Sequence, residues 1–212
     1  MAGVTSIIDS LGILGAGRIG KAIAALAREA GIEVVIAGSA GPVEPVLRAD
    51  AVVLATPLRQ YRNLPDLGGV LVIDAMNYWW ELDGKIAEFE DPMTTSSEIV
   101  AGALPGARVV KSLNHLSGYA LEELARPAGD PERLGMAVAG DDDADVAAVT
   151  GLVDALGFAP VVAGELSHGV KFEPLTEAFG ADADEEDLTE MLDRFWTSQR
   201  GRVVARARGG QN

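Results

Sequence analysis

The segment LGILGAGRIGKAIA, residues 11–24, constrains the fold of this chain more than any other stretch. A short apolar run meets Gly15, Gly17 and Gly20, and beyond them Ile19, Ile23, Leu26 and Ala30 recur at helical spacing until Gly31. That order reads as strand, turn, helix. In such a turn the first glycine allows the sharp bend, the second lets backbone approach a pyrophosphate, and the third lets the helix pack closely on the sheet. The context predicts a dinucleotide held on Gly15, Gly17 and Gly20. A glycine turn that serves packing alone is the competing reading.

Alternation continues along the chain. Residues 33–37 (EVVIA), 51–55 (AVVLA), 70–74 (VLVID), 108–111, 134–139 and 159–162 are short apolar runs bounded by turn residues, as strands buried on both faces should be. Helices are expected over residues 95–104, opened by Ser or Thr with Glu98 in the first turn, and over 145–156, ended by Gly157. A helical tail containing Trp196 follows. The acidic runs 141–145 and 182–187 precede apolar periodic segments and read as helix starts. The pattern predicts an α/β fold, an open, mostly parallel, doubly wound sheet, because parallel neighbours need crossover helices. One spacing is too short: residues 37–51 cannot hold the helix, strand and helix of a complete half, so an edge strand should be missing or vestigial.

Composition excludes several classes. Seventeen basic against 32 acidic residues give a net charge of −15, which repels polyanions and argues against nucleic-acid and anionic-membrane partners. A phosphate-bearing ligand must then be held by local donors. With no cysteine, disulfides, thiolate zinc sites and thiol nucleophiles are out, and two histidines make a His-rich metal site an unpromising reading. The apolar runs fall far short of the ~20 residues that span a bilayer, and no signal-like stretch is present, so a cytoplasmic location is expected.

Ligands in this architecture bind where strands end at the carboxyl edge. Ser39 follows the second strand where an NAD-preferring site usually carries an acid; a small polar residue there suits a 2′-phosphate, and Arg18 either supplies charge or is a solvated helix residue. Thr56 and Pro57, Met76 and Asn77, and Asn114 and His115 end the next strands, each a turn on its own but together a crevice. His115 is a possible general acid or ligand contact, or else a hydrogen-bonded structural residue. Tyr78, Trp79 and Trp80 either pack under a loop or wall a pocket for a flat ring.

These residues have a family likeness. LGILGAGRIGKAIA, VVLATP, EIVAGALPGARVVKSLNHL, AVAGDD and LVDALGFAPVVAGEL resemble the NADPH-dependent coenzyme F420 reductases over residues 11–175. The resemblance implies a Rossmann-like domain over residues 1–175 with a helical extension over 176–212. It also implies hydride transfer between NADP and the deazaflavin F420. Ala16, Gly17, Arg18 and Ile19 would hold the pyrophosphate, Ser39 would approach the adenosine ribose phosphate, Thr56, Pro57, Met76 and Asn77 would flank the nicotinamide half, and Asn114 and His115 would lie near the ring junction. The F420 tail is anionic, so basic groups such as Lys111 or Lys171 should point into the pocket beside residues 78–80. The chain departs from the family at Ser39-Ala40-Gly41-Pro42, where an arginine usually follows the serine, and beyond Glu177, where no match is evident. A reductase of another flavin, quinone or carbonyl acceptor, and a dinucleotide sensor without turnover, are the other readings. A homodimer is expected from the apolar helix bearing Leu188, Leu192, Phe195 and Trp196.

Overall fold

Seven strands form one sheet in the order β2-β1-β3-β4-β5-β6-β7. In the computed structural model, which describes residues 8–39 and 41–209, they are β1 (Ser10–Leu14), β2 (Glu33–Ala37), β3 (Ala51–Leu54), β4 (Leu71–Asp74), β5 (Arg108–Lys111), β6 (Gly135–Gly140) and β7 (Ala159–Gly164). The first five are mutually parallel; β6 runs antiparallel to β5, and β7 is parallel to β6. This is the doubly wound, mostly parallel, Rossmann-like arrangement expected above.

Successive side chains of the central strands point to opposite faces and enter separate cores. Ile13, Val53 and Ile73 pack with α1 (Arg18–Glu29), α4 (Gly118–Glu123) and α5 (Asp143–Ala155). Val52, Leu54 and Val72 pack with Val100 of α3 (Ser96–Ala103). Between α1 and α4 in sequence lie the single turn α2 (Trp80–Asp83) and α3; α6 (Glu185–Arg194) and α7 (Gln199–Ala207) close the chain. The acidic runs open helices as expected: Asp142 accepts from the amides of Ala144 and Asp145, and Asp184 from that of Asp187. Thr95 and Glu98 form a reciprocal capping box at α3.

The expected short edge is present. Among the described residues β2 pairs only with β1, and the one helical element between it and β3 is a 3-10 turn, Val46–Arg48. Val46 is fully buried, and a Cβ on Gly12 would lie 2.4 Å from its carbonyl oxygen. A side chain at position 12 would therefore push the connection off β1. Because the chain leaves β1 first toward β2 and then crosses to β3 on the other side, the carboxyl ends of β1 and β3 border the switch-point crevice.

The C-terminal helices do not offer the apolar face on which the homodimer expectation rests. Leu188 and Leu192 pack against Ala137, Ala139, Val161 and Ala163 of β6 and β7, and Phe195 joins Val170 and Val204 in a small core of its own. Helical periodicity reveals an apolar face but not what covers it, and here the chain's own sheet does. Among the described residues no helix is long and apolar enough to cross a membrane.

Candidate functional site

The glycine turn divides its work as its spacing predicts. Gly15, at φ 119°, runs so close to β3 that a Cβ would lie 2.3 Å from the Ala55 carbonyl oxygen. A Cβ on Gly20 would sit 1.9 Å from the Gly15 carbonyl oxygen, so this glycine permits the helix to press on the turn. Gly17 differs: nothing lies within 4 Å of the place where its Cβ would be. That open cradle is at the head of α1, whose cap residue is Gly17 itself and whose first turn holds neither a capping side chain nor an acid. The other described α-helices longer than one turn are capped by Thr95, Ser117, Asp142, Asp184 and Ser198. Alone among these α-helices, α1 has no side-chain acceptor at its head, and the residues present fit a pyrophosphate.

Around the turn, Ala16 is half-buried, with its methyl group 3.3 Å from where a Gly38 Cβ would be, and Ile19 packs onto the core beneath α1. Ser39 is exposed just beyond β2. The Arg18 guanidinium is engaged on α4, bonding Glu122 through Nη2 at 2.8 Å and Nε at 3.2 Å and passing over Gly118. The hydrogen bond raises the arginine's pKa and lowers that of the glutamate. Its partner is thus a carboxylate of the protein, and what Arg18 gives the turn is its backbone amide.

At the next strand ends the structure brings Thr56, Met76, Asn77 and Asn114 together. Thr56 Oγ1 lies 3.4 Å from Met76 Sδ, while the exposed Pro57 leads into a 3-10 helix, Leu58–Asn63. Asn77 Nδ2 donates to the Asn114 carbonyl at 2.8 Å, and Asn114 Nδ2 donates to Asn77 Oδ1 at 3.1 Å and to the Phe172 carbonyl at 3.0 Å. Two backbone carbonyls, which can only accept, fix the orientation of both amides. Asn114 Oδ1 is closed to solvent and has no donor within hydrogen-bond distance among the described residues. The preceding residue, Leu113, holds a φ of 61° while fully buried, a conformation worth about 1–3 kcal/mol of strain at the point that aims Asn114.

Beneath this cluster lies a network that the sequence did not single out as such. Lys111 Nζ meets Asp74 Oδ2 at 3.3 Å and also donates to the Met76 carbonyl, while Asp74 accepts from the Met76 amide at 2.9 Å and from Ser97 Oγ at 2.5 Å. Neither charged side chain is exposed. Lys111 therefore holds the loop from below and does not reach a ligand pocket.

His115, read as a possible general acid or ligand contact or else as a hydrogen-bonded structural residue, lies buried beneath the site. Its ring is 1% exposed, Nε2 accepts from the Ala137 amide at 2.9 Å, and it stands edge-on to Phe172. Burial pushes its pKa down to about 4, so the imidazole is neutral at pH 7, with its proton on Nδ1. His168 and Lys171 lie farther on, both bonded to the Ala163 carbonyl and both against Trp196. Burial lowers the pKa of each.

One residue beyond Asn77 and Phe172 the chain opens into a cleft of about 460 Å³, walled by residues 78–96, residues 170–175 and α7. Tyr78 stacks on Phe89 at 5.2 Å and its hydroxyl ties Gly84 to Ile86, whereas Trp79 stands edge-on to Phe179 and Trp80 is 64% exposed. Of the aromatic triplet, Tyr78 packs the loop, and all three line the cleft. Lys111 and Lys171 do not line it. The lining cation is Arg200, held by Glu173 Oε2 at 2.7 Å and by the Pro174 carbonyl. Glu173 in turn caps α3 through the Ser96 amide and hydroxyl, each at 2.8 Å.

No protein-family model matches the chain, and no curated protein matches it in sequence. Among solved structures, a hypothetical protein of Sinorhizobium meliloti is 29% identical, with a TM-score of 0.67 over 82% of this chain and 94% of that one. A protein of Arthrobacter sp. FB24 provisionally described as an F420-dependent NADP-reductase is 21% identical, with a TM-score of 0.60 over 90% and 94%. The 3-hydroxyisobutyrate dehydrogenase of Mycobacterium tuberculosis is 14% identical, with a TM-score of 0.54 over 77% of this chain and 57% of that one. These likenesses establish the Rossmann-like fold.

Proposed function

We propose that the protein is an oxidoreductase that binds NADP(H) on its glycine turn and exchanges a hydride with a planar acceptor ring, the deazaflavin ring of coenzyme F420 being the one that the sequence resemblance implies. The observation that carries the dinucleotide is the uncapped head of α1 beside the open cradle at Gly17. Ser39 in place of an acid at the end of β2 favours NADP over NAD. The neighbours described as an NADP-reductase and a hydroxy-acid dehydrogenase support redox use of this fold, and the sequence resemblance points to a deazaflavin as the class of acceptor ring.

When bound, the nicotinamide supplies a hydride from C4, which the acceptor ring takes up with a proton from water, leaving NADP⁺ and the dihydro ring. The chain's own work is binding and placement. Gly17 and the first amides of α1 receive the pyrophosphate; Thr56, Met76, Asn77 and Asn114 border the reacting end; the Lys111–Asp74 pair holds the peptide of Met76 from both sides. Direct hydride transfer needs close, dry orientation and no protein acid, which suits a site whose histidine is neutral and enclosed.

The test follows absorbance at the deazaflavin band when purified protein is mixed with NADPH and oxidised F420, with NADH and FMN in parallel. NADPH-selective bleaching is the expected result. Saturable NADPH binding with no acceptor reduced would overturn it in favour of a sensor. A second acceptor reading, a ring without an anionic tail, is favoured by the charge of the cleft.

A further inference from the structure

Resting on the oxidoreductase reading above, we propose that the cleft beside residues 78–80 selects a planar acceptor ring that carries no anionic tail. The cleft adjoins the nicotinamide end along two separate pieces of chain, since Tyr78 follows Asn77 and Glu173 follows Phe172, whose carbonyl holds Asn114. Its walls are aromatic and aliphatic, with Trp79, Trp80, Val170 and Leu175 facing it. Two of these are costly to leave in water. Trp80 is 64% exposed, and Leu175 is 89% exposed while held at a φ of 70°, a left-handed conformation that leucine rarely adopts. Flat apolar surface of this kind fits a ring system.

The charges point the other way from what a phosphate or glutamate tail requires. Glu81, Glu90 and Asp91 stand in the lining, and Lys85 is drawn to Glu90 at 3.6 Å. Arg200, the cation of the lining, already carries Glu173 on one nitrogen and the Pro174 carbonyl on another. Lys171 opens instead onto an adjoining, smaller cavity with Met191 and Phe195, which shares Leu175 and Arg200 with the cleft. A tail bearing several negative charges would meet carboxylates with no free cation among the described lining residues, on a chain of net charge −15. An uncharged or cationic ring meets no such barrier.

The experiment compares acceptors that share a ring and differ in the tail: F420 against its deazaflavin chromophore lacking the phosphate and glutamates, and FMN against riboflavin. Two readouts are taken on the full chain, quenching of tryptophan fluorescence by each acceptor without dinucleotide, and NADPH oxidation. Tail-free rings should bind about tenfold tighter at low salt, with the gap narrowing at high salt as the charges are screened. Trp80→Ala should weaken both members of a pair alike, and Glu81→Lys with Glu90→Lys should reverse the preference. Equal or tighter binding of the tailed member, or no quenching by any ring, overturns the proposal. Selective quenching by the tail-free rings without NADPH oxidation would leave the cleft assignment standing and remove the oxidoreductase reading; NADPH oxidation led by F420 would do the reverse.

Discussion

Lys111 and Asp74 meet at 3.3 Å with neither side chain exposed, and each also grips residue 76, the lysine at its carbonyl and the aspartate at its amide. Strands β4 and β5 are thereby tied together at the end where a ligand would lie. Removing one charge strands the other in the interior, which costs about 3–5 kcal/mol. Lys111→Met should lower the urea midpoint accordingly, and adding Asp74→Asn should recover part of the loss, since the two sites share one network. Additive losses in the double variant would show that the pair does not act as a unit.

Gly17 and Gly20 make an internal control for the glycine turn. Gly17→Ala puts a methyl group into open space at a φ of −75°, so stability should change by less than about 0.5 kcal/mol while the Kd for NADPH rises about tenfold or more. Gly20→Ala drives its methyl into the Gly15 carbonyl and should destabilise the fold by about 1–3 kcal/mol. Equilibrium unfolding and NADPH fluorescence titration separate the two effects.

Arg18 bonds Glu122 and not the region of Ser39. Arg18→Ala should therefore leave the ratio of NADPH to NADH affinity unchanged, whereas Ser39→Asp should shift it toward NADH through repulsion of the 2′-phosphate and hydrogen bonding to the ribose. Paired titrations with both dinucleotides read this directly. A collapse of the NADPH preference in Arg18→Ala would place the guanidinium at the phosphate after all.

His115 makes stability depend on acidity. Its pKa is held at about 4, below the ordinary value of 6.5, so between these limits the unfolded chain binds the proton that the folded chain refuses. The contribution is full above pH 6.5, falls as the solution is acidified toward pH 4, and amounts to about 3 kcal/mol over that window. His115→Gln should flatten this part of the stability profile, measured against wild type by urea unfolding. Activity should show no inflection from this ring near neutrality.

The strand–turn–helix start, the strand positions and the short edge at β2 were legible because each rests on local pattern: apolar runs, glycine spacing and the length of a connection. The direction of β6 was not, since an apolar run has no polarity and the antiparallel return depends on the path of residues 112–134. His115 kept two readings in the sequence, a ligand contact because it ends a strand at the right edge and a structural residue otherwise. What decides its role is the Ala137 amide, 22 positions away, and local sequence cannot show that bond. Lys111 was noticed as a cation for a pocket, but its partner Asp74 sits 37 positions earlier, on the neighbouring strand. The cap residues of α3, α5 and α6 are visible as sequence signals, and the lack of one at α1 is visible too once the others are known.

That missing cap has a consequence for how the protein behaves when purified. On the proposed dinucleotide reading, a ligand seated at that helix head binds the folded chain and not the unfolded one, so the melting temperature should depend on the solution as well as on the sequence. Each tenfold rise in saturating dinucleotide adds about 1.4 kcal/mol to the folded side.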